Sequence, residues 1–136
     1  DDDLSRGLGD VYKRQAKSWE LIENLGCQPG LVLNPDISLN VLEPYLEDIY
    51  MVLLMSVFPG FGGQKFIPEV LDKVKNLRQQ IDEKNLEVRL EIDGGVNSEN
   101  ISDISSAGAD TFVAGSAIFN NKNYSNAIKN LRDNFY

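Results

Sequence analysis

Apolar residues occur along the chain in two patterns, as short continuous runs and as longer stretches with helical spacing. The continuous runs are GLVLNP at 30–35, YMVLLMSV at 50–57, EVRLEI at 87–92 and TFVA at 111–114. Short apolar runs bounded by turn-forming residues are typical of strands buried in a parallel sheet. Because helical patterns separate the runs, the chain predicts an α/β fold with a parallel sheet covered on its faces.

Helical spacing precedes the first strand and follows every strand. The stretch from Ala16 predicts a helix that stops at Gly26, a normal helix terminator. After the first strand, SLNVLEPYLEDI at 38–49 predicts a second helix, which Ser38 can cap although Pro44 interrupts it.

The later helical stretches have a clearer pattern. Four apolar side chains share one face of the helix predicted at 67–85: Val70, Val74, Leu77 and Ile81. A shorter helix is predicted at 97–109, with Asn97 or Ser98 as its cap, and a last helix at 123–135.

One helix followed by four strand–helix units fits two architectures. The units can form a small doubly wound sheet or half of an eight-stranded (β/α) barrel, and their spacing alone leaves both open. Residues 1–15 begin with three aspartates and have little apolar periodicity. They are therefore expected to be a disordered leader or translated adaptor sequence outside the fold.

Composition narrows the classes of partner. The net charge of −8 argues against nucleic acid or an anionic membrane, but not against a phosphorylated small molecule held by backbone N–H groups. Cys27 is the only cysteine, so no internal disulfide can form, and a cytoplasmic location is expected. The chain contains no histidine.

Three loops that carry candidate chemistry follow the carboxyl ends of predicted strands. They are PGFGGQ at 59–64, DGGVN at 93–97 and AGSAIF at 114–119, the last of which can form a short extra helical turn. Each motif alone is more often a simple turn. Because ligands bind at this end of parallel α/β sheets, three such loops together favour a binding site, with free N–H groups for a phosphate.

The stretches LLMSVFPGFGGQKFIPEVL, LEIDGGVN and AGADTFVAGSAIF, preceded by GLVLNP, resemble the last part of the ribulose-phosphate 3-epimerase family. The resemblance runs from Ala16 to Tyr136. It implies a (β/α)8 TIM barrel, of which this chain would supply the C-terminal half, strands five to eight with their helices. It also implies an isomerase of the pentose phosphate pathway, which interconverts ribulose 5-phosphate and xylulose 5-phosphate through an enediolate.

The resemblance implies roles for named residues. Asp93 would be one of two catalytic aspartates and also a ligand of a divalent metal ion, zinc, iron or manganese. Met55 would cap the reacting end of the substrate. The remaining positions divide into a substrate-lining group and a phosphate-holding group: Gly60, Phe61, Gly62 and Gly63 in the first, and Gly94, Gly95, Gly115 and Ser116 in the second.

Position along the strand independently favours Asp93 over its acidic neighbours. Asp93 ends an apolar strand, whereas Glu91 lies deeper on the same side and Asp110 precedes a strand, at the wrong end. Phe58 and Asp36 depart from the family pattern without falling on a site residue.

The larger departure is that the family's other aspartate and its metal-binding histidines lie on earlier strands. The metal site is therefore expected to be incomplete here, and this chain alone is expected to be inactive.

Three alternatives stay open. The first is an epimerase of a six-carbon ketose phosphate such as allulose 6-phosphate. The second is a non-catalytic, phosphate-binding half-barrel that dimerises, and the third is a structural interaction module, which the three glycine loops disfavour. The expected partner is a small sugar phosphate rather than nucleic acid or membrane, and a full-length parent protein is expected to be a homo-oligomer.

Overall fold

Four parallel strands form the centre of the computed structural model, which describes residues 17–135 of the chain. The strands are β1 (Gly30–Leu33), β2 (Met51–Met55), β3 (Arg89–Asp93) and β4 (Thr111–Val113). They pair in chain order, β1-β2-β3-β4. The predicted parallel α/β sheet is confirmed, with each strand shorter than its apolar run.

Helices precede, connect and follow these strands. They are α1 (17–24), a 3-10 helix (Leu39–Leu42), α2 (Val70–Glu83), α3 (Ile101–Ala107), α4 (Ser116–Phe119) and α5 (Tyr124–Asn134). The predicted helix start at Ala16 and the predicted leader at 1–15 lie outside the described residues. No helix within 17–135 has both the length and the apolar character needed to cross a membrane.

The α-helix predicted at 38–49 is wrong. Only the single 3-10 turn Leu39–Leu42 forms, and turns follow it. Ser38 does cap this turn, since its hydroxyl accepts from the Asn40 N–H at 3.2 Å. Pro44 accounts for the early stop, because proline has no N–H to continue a helical hydrogen-bond ladder and its ring clashes with the preceding turn.

The helix predicted at 97–109 begins later, at Ile101. The Asn97 side chain nevertheless acts as a local cap, because its Oδ1 accepts the N–H groups of Glu99 and Asn100 at 2.9 and 3.0 Å. These bonds order a turn that leads into α3. Asn97 therefore caps backbone N–H groups as predicted, but it does so in the turn that precedes α3.

One face of the sheet is covered by helices and forms the core. Its central strand residues, Val52, Leu54, Leu90 and Ile92, are buried together with the apolar stripe of α2. Side chains alternate between faces along a strand, so one in every two strand residues points to this core. The predicted helix face at 67–85 is confirmed by the burial of Val70, Val74, Leu77 and Ile81.

The other face of the sheet is partly exposed, which corrects the expectation that both faces are covered. Here the register places Val32, Leu53, Glu91 and Thr111 side by side in one row. Val32 is 59% exposed, although it lies in an apolar run. The apolar runs predicted burial on both sides, but within residues 17–135 the helices cover only one. We call the second side the open face.

Arg78 ties α2 to the β3–β4 connection at the end of the sheet opposite the glycine loops. Its Nε donates to the Gly108 carbonyl at 2.9 Å, and an NH2 group pairs with Asp110 at 3.1 Å. Asp110 in turn accepts the Leu90 N–H at 3.2 Å. One guanidinium therefore joins a helix, a turn and the start of a strand, and Asp110 has a structural role here.

Replacement of this guanidinium should lower stability. Arg78→Ala removes the donors to the Gly108 carbonyl and to Oδ2 of Asp110, so we expect a loss of about 1–3 kcal/mol in the free energy of unfolding. Urea unfolding followed by circular dichroism measures it. The matched control is Lys129→Ala, which removes the exposed Lys129–Asp133 pair on α5 and should change nothing measurable. Equal losses in both variants would contradict the assigned role of Arg78.

Candidate functional site

The carboxyl ends of β2, β3 and β4 bring the predicted site residues to one rim of the sheet. In the strand register, Met55 pairs with Asp93 and Asp93 pairs with Val113. All three occupy the last row of the open face, where Met55 and Asp93 are half-buried. The expectation that Asp93 ends its strand is met, since β3 ends at this residue.

A cleft of about 590 Å³ lies at this rim, between the loops that follow the three strands. Three of the predicted residues line it, one from each loop: Gly63, Gly95 and Ser116. Lys65 and Glu99 contribute the charged groups. The cleft therefore combines the three glycine-containing motifs, as the sequence pattern indicated.

The other predicted residues lie around this cleft without lining it. Phe61 is 76% exposed, and Gly60 and Gly62 flank it in the same exposed loop. Gly115 is exposed, and a Cβ on it would meet no protein atom within 4 Å. Gly94 is buried beneath the rim. The space at residues 60–63 and 115 is thus open to solvent, whereas Gly94 faces the protein.

The side chain of Gln64 orders the glycine loop at 59–64 by hydrogen bonds to backbone carbonyls. Its Nε2 donates to the carbonyls of Phe58 at 2.7 Å and Phe61 at 3.1 Å. Both acceptors belong to the loop that Gln64 closes, so the loop is ordered by its own side chain. The polar residue after the glycines could have suggested such a closure, but no partner could be predicted from spacing.

Gly94 and Gly95 are required where they are by close packing and by backbone conformation. Their φ angles are 132° and 68°, which side-chain-bearing residues rarely adopt. A Cβ on Gly95 would lie 2.3 Å from the Phe66 nitrogen, and one on Gly94 would lie 2.7 Å from Val57. Glycine at both positions lets the loop after β3 lie directly against the loop after β2.

Asp93 and Glu91 put two carboxylates on the same side of one strand. Burial raises the pKa of the Glu91 carboxyl above its usual value, and the Asp93 carboxylate adds to the rise, while Arg89 opposes it. Within residues 17–135 no three His, Cys, Asp or Glu side chains come together as metal ligands.

A second cleft of about 640 Å³ lies between the segment after β1 and α2. It contains none of the predicted site residues. Lys73, its cation, is already engaged, because its Nζ donates to the carbonyls of Pro35 and Ile37. We therefore assign the candidate site to the rim cleft, where the glycine loops meet.

Residues 10–119 match the Ribulose-phosphate 3 epimerase family. The match starts within the segment set apart as a leader, and that boundary stays a prediction. It covers the whole rim, including the loops after β2, β3 and β4.

Curated relatives agree with the family match. A ribulose-phosphate 3-epimerase of Escherichia coli (strain K12) is 49% identical over 116 residues, which cover 85% of this chain and 52% of that protein. The enzyme of Buchnera aphidicola subsp. Baizongia pistaciae is 50% identical over 117 residues, 86% of this chain and 51% of that protein. Ribulose-phosphate 3-epimerase 2 of Cupriavidus necator is 57% identical over 103 residues, 73% and 43% respectively. The chain spans about half the length of the curated relatives it matches.

The raised pKa of Glu91 predicts a pH dependence of stability. The folded chain holds this proton more tightly than the unfolded chain, so stability falls as the pH rises from the usual value of 4.5 through the raised one. Glu91→Gln removes this loss, because glutamine does not ionise. We expect the free energy of unfolding of the variant, relative to that of the wild-type chain, to be lowest at acid pH, to increase with rising pH and then to level off.

Urea unfolding of both proteins between about pH 4 and pH 8 measures this difference. Carboxylates distant from residue 91 cancel in the difference between the two curves, which therefore reports Glu91 together with its interaction with Asp93. An advantage that is constant with pH, or that shrinks as the pH rises, would contradict the raised pKa.

Proposed function

The chain belongs to the ribulose-phosphate 3-epimerase family, and on that basis we propose that it supplies the phosphate-binding rim and one acid/base group of a sugar-phosphate 3-epimerase. The proposed reaction interconverts ribulose 5-phosphate and xylulose 5-phosphate. The chain would form the C-terminal half of a TIM barrel in a full-length parent protein. The observation that carries the proposal is the position of Asp93, at the carboxyl end of β3 and directly before the loop that lines the rim cleft.

The rim cleft suits the phosphate of the substrate. Gly63, Gly95 and Ser116 bring backbone and hydroxyl groups from three loops to one space, and Lys65 adds a positive charge. Backbone N–H groups next to glycines can approach an anion closely. In this proposal Gly60, Phe61 and Gly62 line the sugar, and Gly115 lies at the phosphate beside Ser116. Gly94, which packs against Val57, supports the loop from below.

Asp93 suits the proton transfer. Epimerisation next to a carbonyl removes a proton on one side of the carbon and returns one on the other, so it needs two acid/base groups on opposite sides. Asp93 and Glu91 share one side of β3 and cannot flank the same carbon. In this proposal the second group comes from an earlier strand of the full-length parent protein, as in the family, and Met55, beside Asp93 in the register, covers the reacting end.

The family's divalent metal would supply positive charge for the enediolate. Asp93 is the only residue here proposed as a ligand, and it does not make a site without partners.

A coupled assay on four proteins tests this function: the chain, a full-length parent, and the parent with Asp93→Asn or Asp103→Asn. We expect the parent to epimerise ribulose 5-phosphate and the chain alone to be inactive. Asp93→Asn should reduce turnover by about 10²–10⁴-fold, because an amide cannot exchange a proton at neutral pH. Asp103→Asn, the same change on an exposed position of α3, should be neutral.

Near-normal turnover by the Asp93→Asn parent would contradict the role of Asp93. Epimerisation by the chain alone would contradict the need for a second group from elsewhere. Assaying allulose 6-phosphate in parallel separates the pentose from the hexose substrate, since the preferred sugar should have the higher kcat/KM.

A further inference from the structure

Ser56 is a buried polar residue at the end of an apolar strand run. Its exposure is 0%, and among residues 17–135 it is the one polar side chain in the buried core. A buried hydroxyl is costly unless it is hydrogen-bonded. Because Ser56 directly follows β2, its hydrogen-bond partner lies in the loops that form the rim.

Three groups of Ser56 bind the neighbouring loops. Its hydroxyl donates to the Gly94 carbonyl at 2.6 Å, and its N–H donates to the Asp93 carbonyl at 2.9 Å. Its own carbonyl accepts the N–H of Ile67 at 2.8 Å. Ser56 is therefore the residue through which the loop after β3 and the chain beyond the glycine loop are both fixed to β2.

The hydroxyl bond sets the direction of one peptide group. All described peptide bonds are trans, so the Gly94 carbonyl and the Gly95 N–H point in opposite directions. Since Ser56 holds the carbonyl on the buried side, the Gly95 N–H is turned away from Ser56. Gly95 itself lines the rim cleft.

The next peptide group, between Gly95 and Val96, is also held by a side chain, that of Asn100. Asn100 Nδ2 donates to the Gly95 carbonyl at 2.9 Å, and Asn100 Oδ1 accepts the Asn97 N–H at 2.8 Å. Two successive carbonyls of the Asp-Gly-Gly loop are thus occupied by side chains. Their N–H groups, on Gly95 and Val96, belong to residues that line the cleft.

We infer that Ser56 is a positioning residue for anion binding: its buried hydroxyl fixes the Gly94–Gly95 peptide so that the Gly95 N–H is available to a phosphate in the rim cleft. The inference rests on the proposed function for the identity of the ligand. The geometry of the loop is independent of the proposed function, because the Ser56–Gly94 hydrogen bond is observed directly. Glycine alone would leave this peptide free to rotate, since it restricts φ and ψ least.

The test uses the whole chain with Ser56→Ala, Ser56→Cys and the control Ser105→Ala. Ser105 also donates its hydroxyl to a backbone carbonyl, that of Phe135 at 3.0 Å, but on α3. The control therefore removes the same kind of bond away from the cleft. Cysteine is slightly larger than serine but keeps a weak donor, so Ser56→Cys should lie between serine and alanine.

Two measurements are made on each protein. NMR relaxation of the unliganded chain gives the order parameters of the Gly94 and Gly95 amides, and calorimetry gives the Kd for ribulose 5-phosphate. We expect Ser56→Ala to lower both order parameters and to raise Kd about three- to tenfold. Ser105→Ala should leave both unchanged, even if it lowers Tm to the same extent.

Unchanged order parameters and Kd in Ser56→Ala would overturn the inference, as would equal weakening in Ser105→Ala. If Ser56→Ala does not fold, the same criteria apply to Ser56→Cys. If the wild-type chain binds no ribulose 5-phosphate, the proposed ligand is wrong. The order parameters then still decide whether Ser56 fixes the loop.

Discussion

The rim depends on one close contact, the packing of the Gly95 backbone against the backbone of Phe66. A Cβ at residue 95 would come within 2.3 Å of the Phe66 nitrogen, so only glycine lets the two loops meet. This contact joins the loop after β3 to the chain that follows the glycine loop of β2. The Ser56 hydroxyl reinforces the same junction from below. Without the contact between Gly95 and Phe66, the loop after β3 would not lie against the chain beyond the glycine loop, and the rim cleft would lose one wall.

The parallel register explains why these loops meet at all. Parallel strands in chain order place the ends of β2, β3 and β4 at one edge, with Met55 and Asp93 side by side. The same register aligns the residues of the open face, where Val113 is 38% exposed at the end of its row. The helices therefore stabilise one side of the sheet, and the candidate chemistry lies on the other side and at its rim.

Much of this arrangement could be predicted from the sequence. The four apolar runs predicted the strands, and the spacing of α2 predicted its buried stripe, because both signals are periodic and local. Pro44 was visible as an interruption, but the apolar spacing around it was given more weight than its missing N–H, which ends the element after one 3-10 turn. The open face could not be predicted, because Val32 and Leu53 have the same apolar character as residues of the core.

The site was predictable to the level of its loops but not of its contacts. Gly63, Gly95 and Ser116 were expected at one rim, and they line one cleft. Gly94 and Gly95 were expected to hold the phosphate, and the structure adds a second reason for glycine there, the close neighbours Val57 and Phe66. Ser56 and Lys65 were missed. The signal for Ser56 was a polar residue inside an apolar run, and Lys65 directly follows the predicted loop.

An NMR titration of the isotope-labelled chain with ribulose 5-phosphate shows whether the three rim loops form one phosphate-binding cleft. We expect the amide signals of Gly63, Gly95 and Ser116 to shift together along one binding curve, and ribulose without its phosphate to leave them unchanged. Gly115→Val should weaken these shifts, because its added carbons meet no protein atom and would occupy ligand space. Shifts confined to the cleft beside Lys73, or no shifts in the folded chain, would contradict the account.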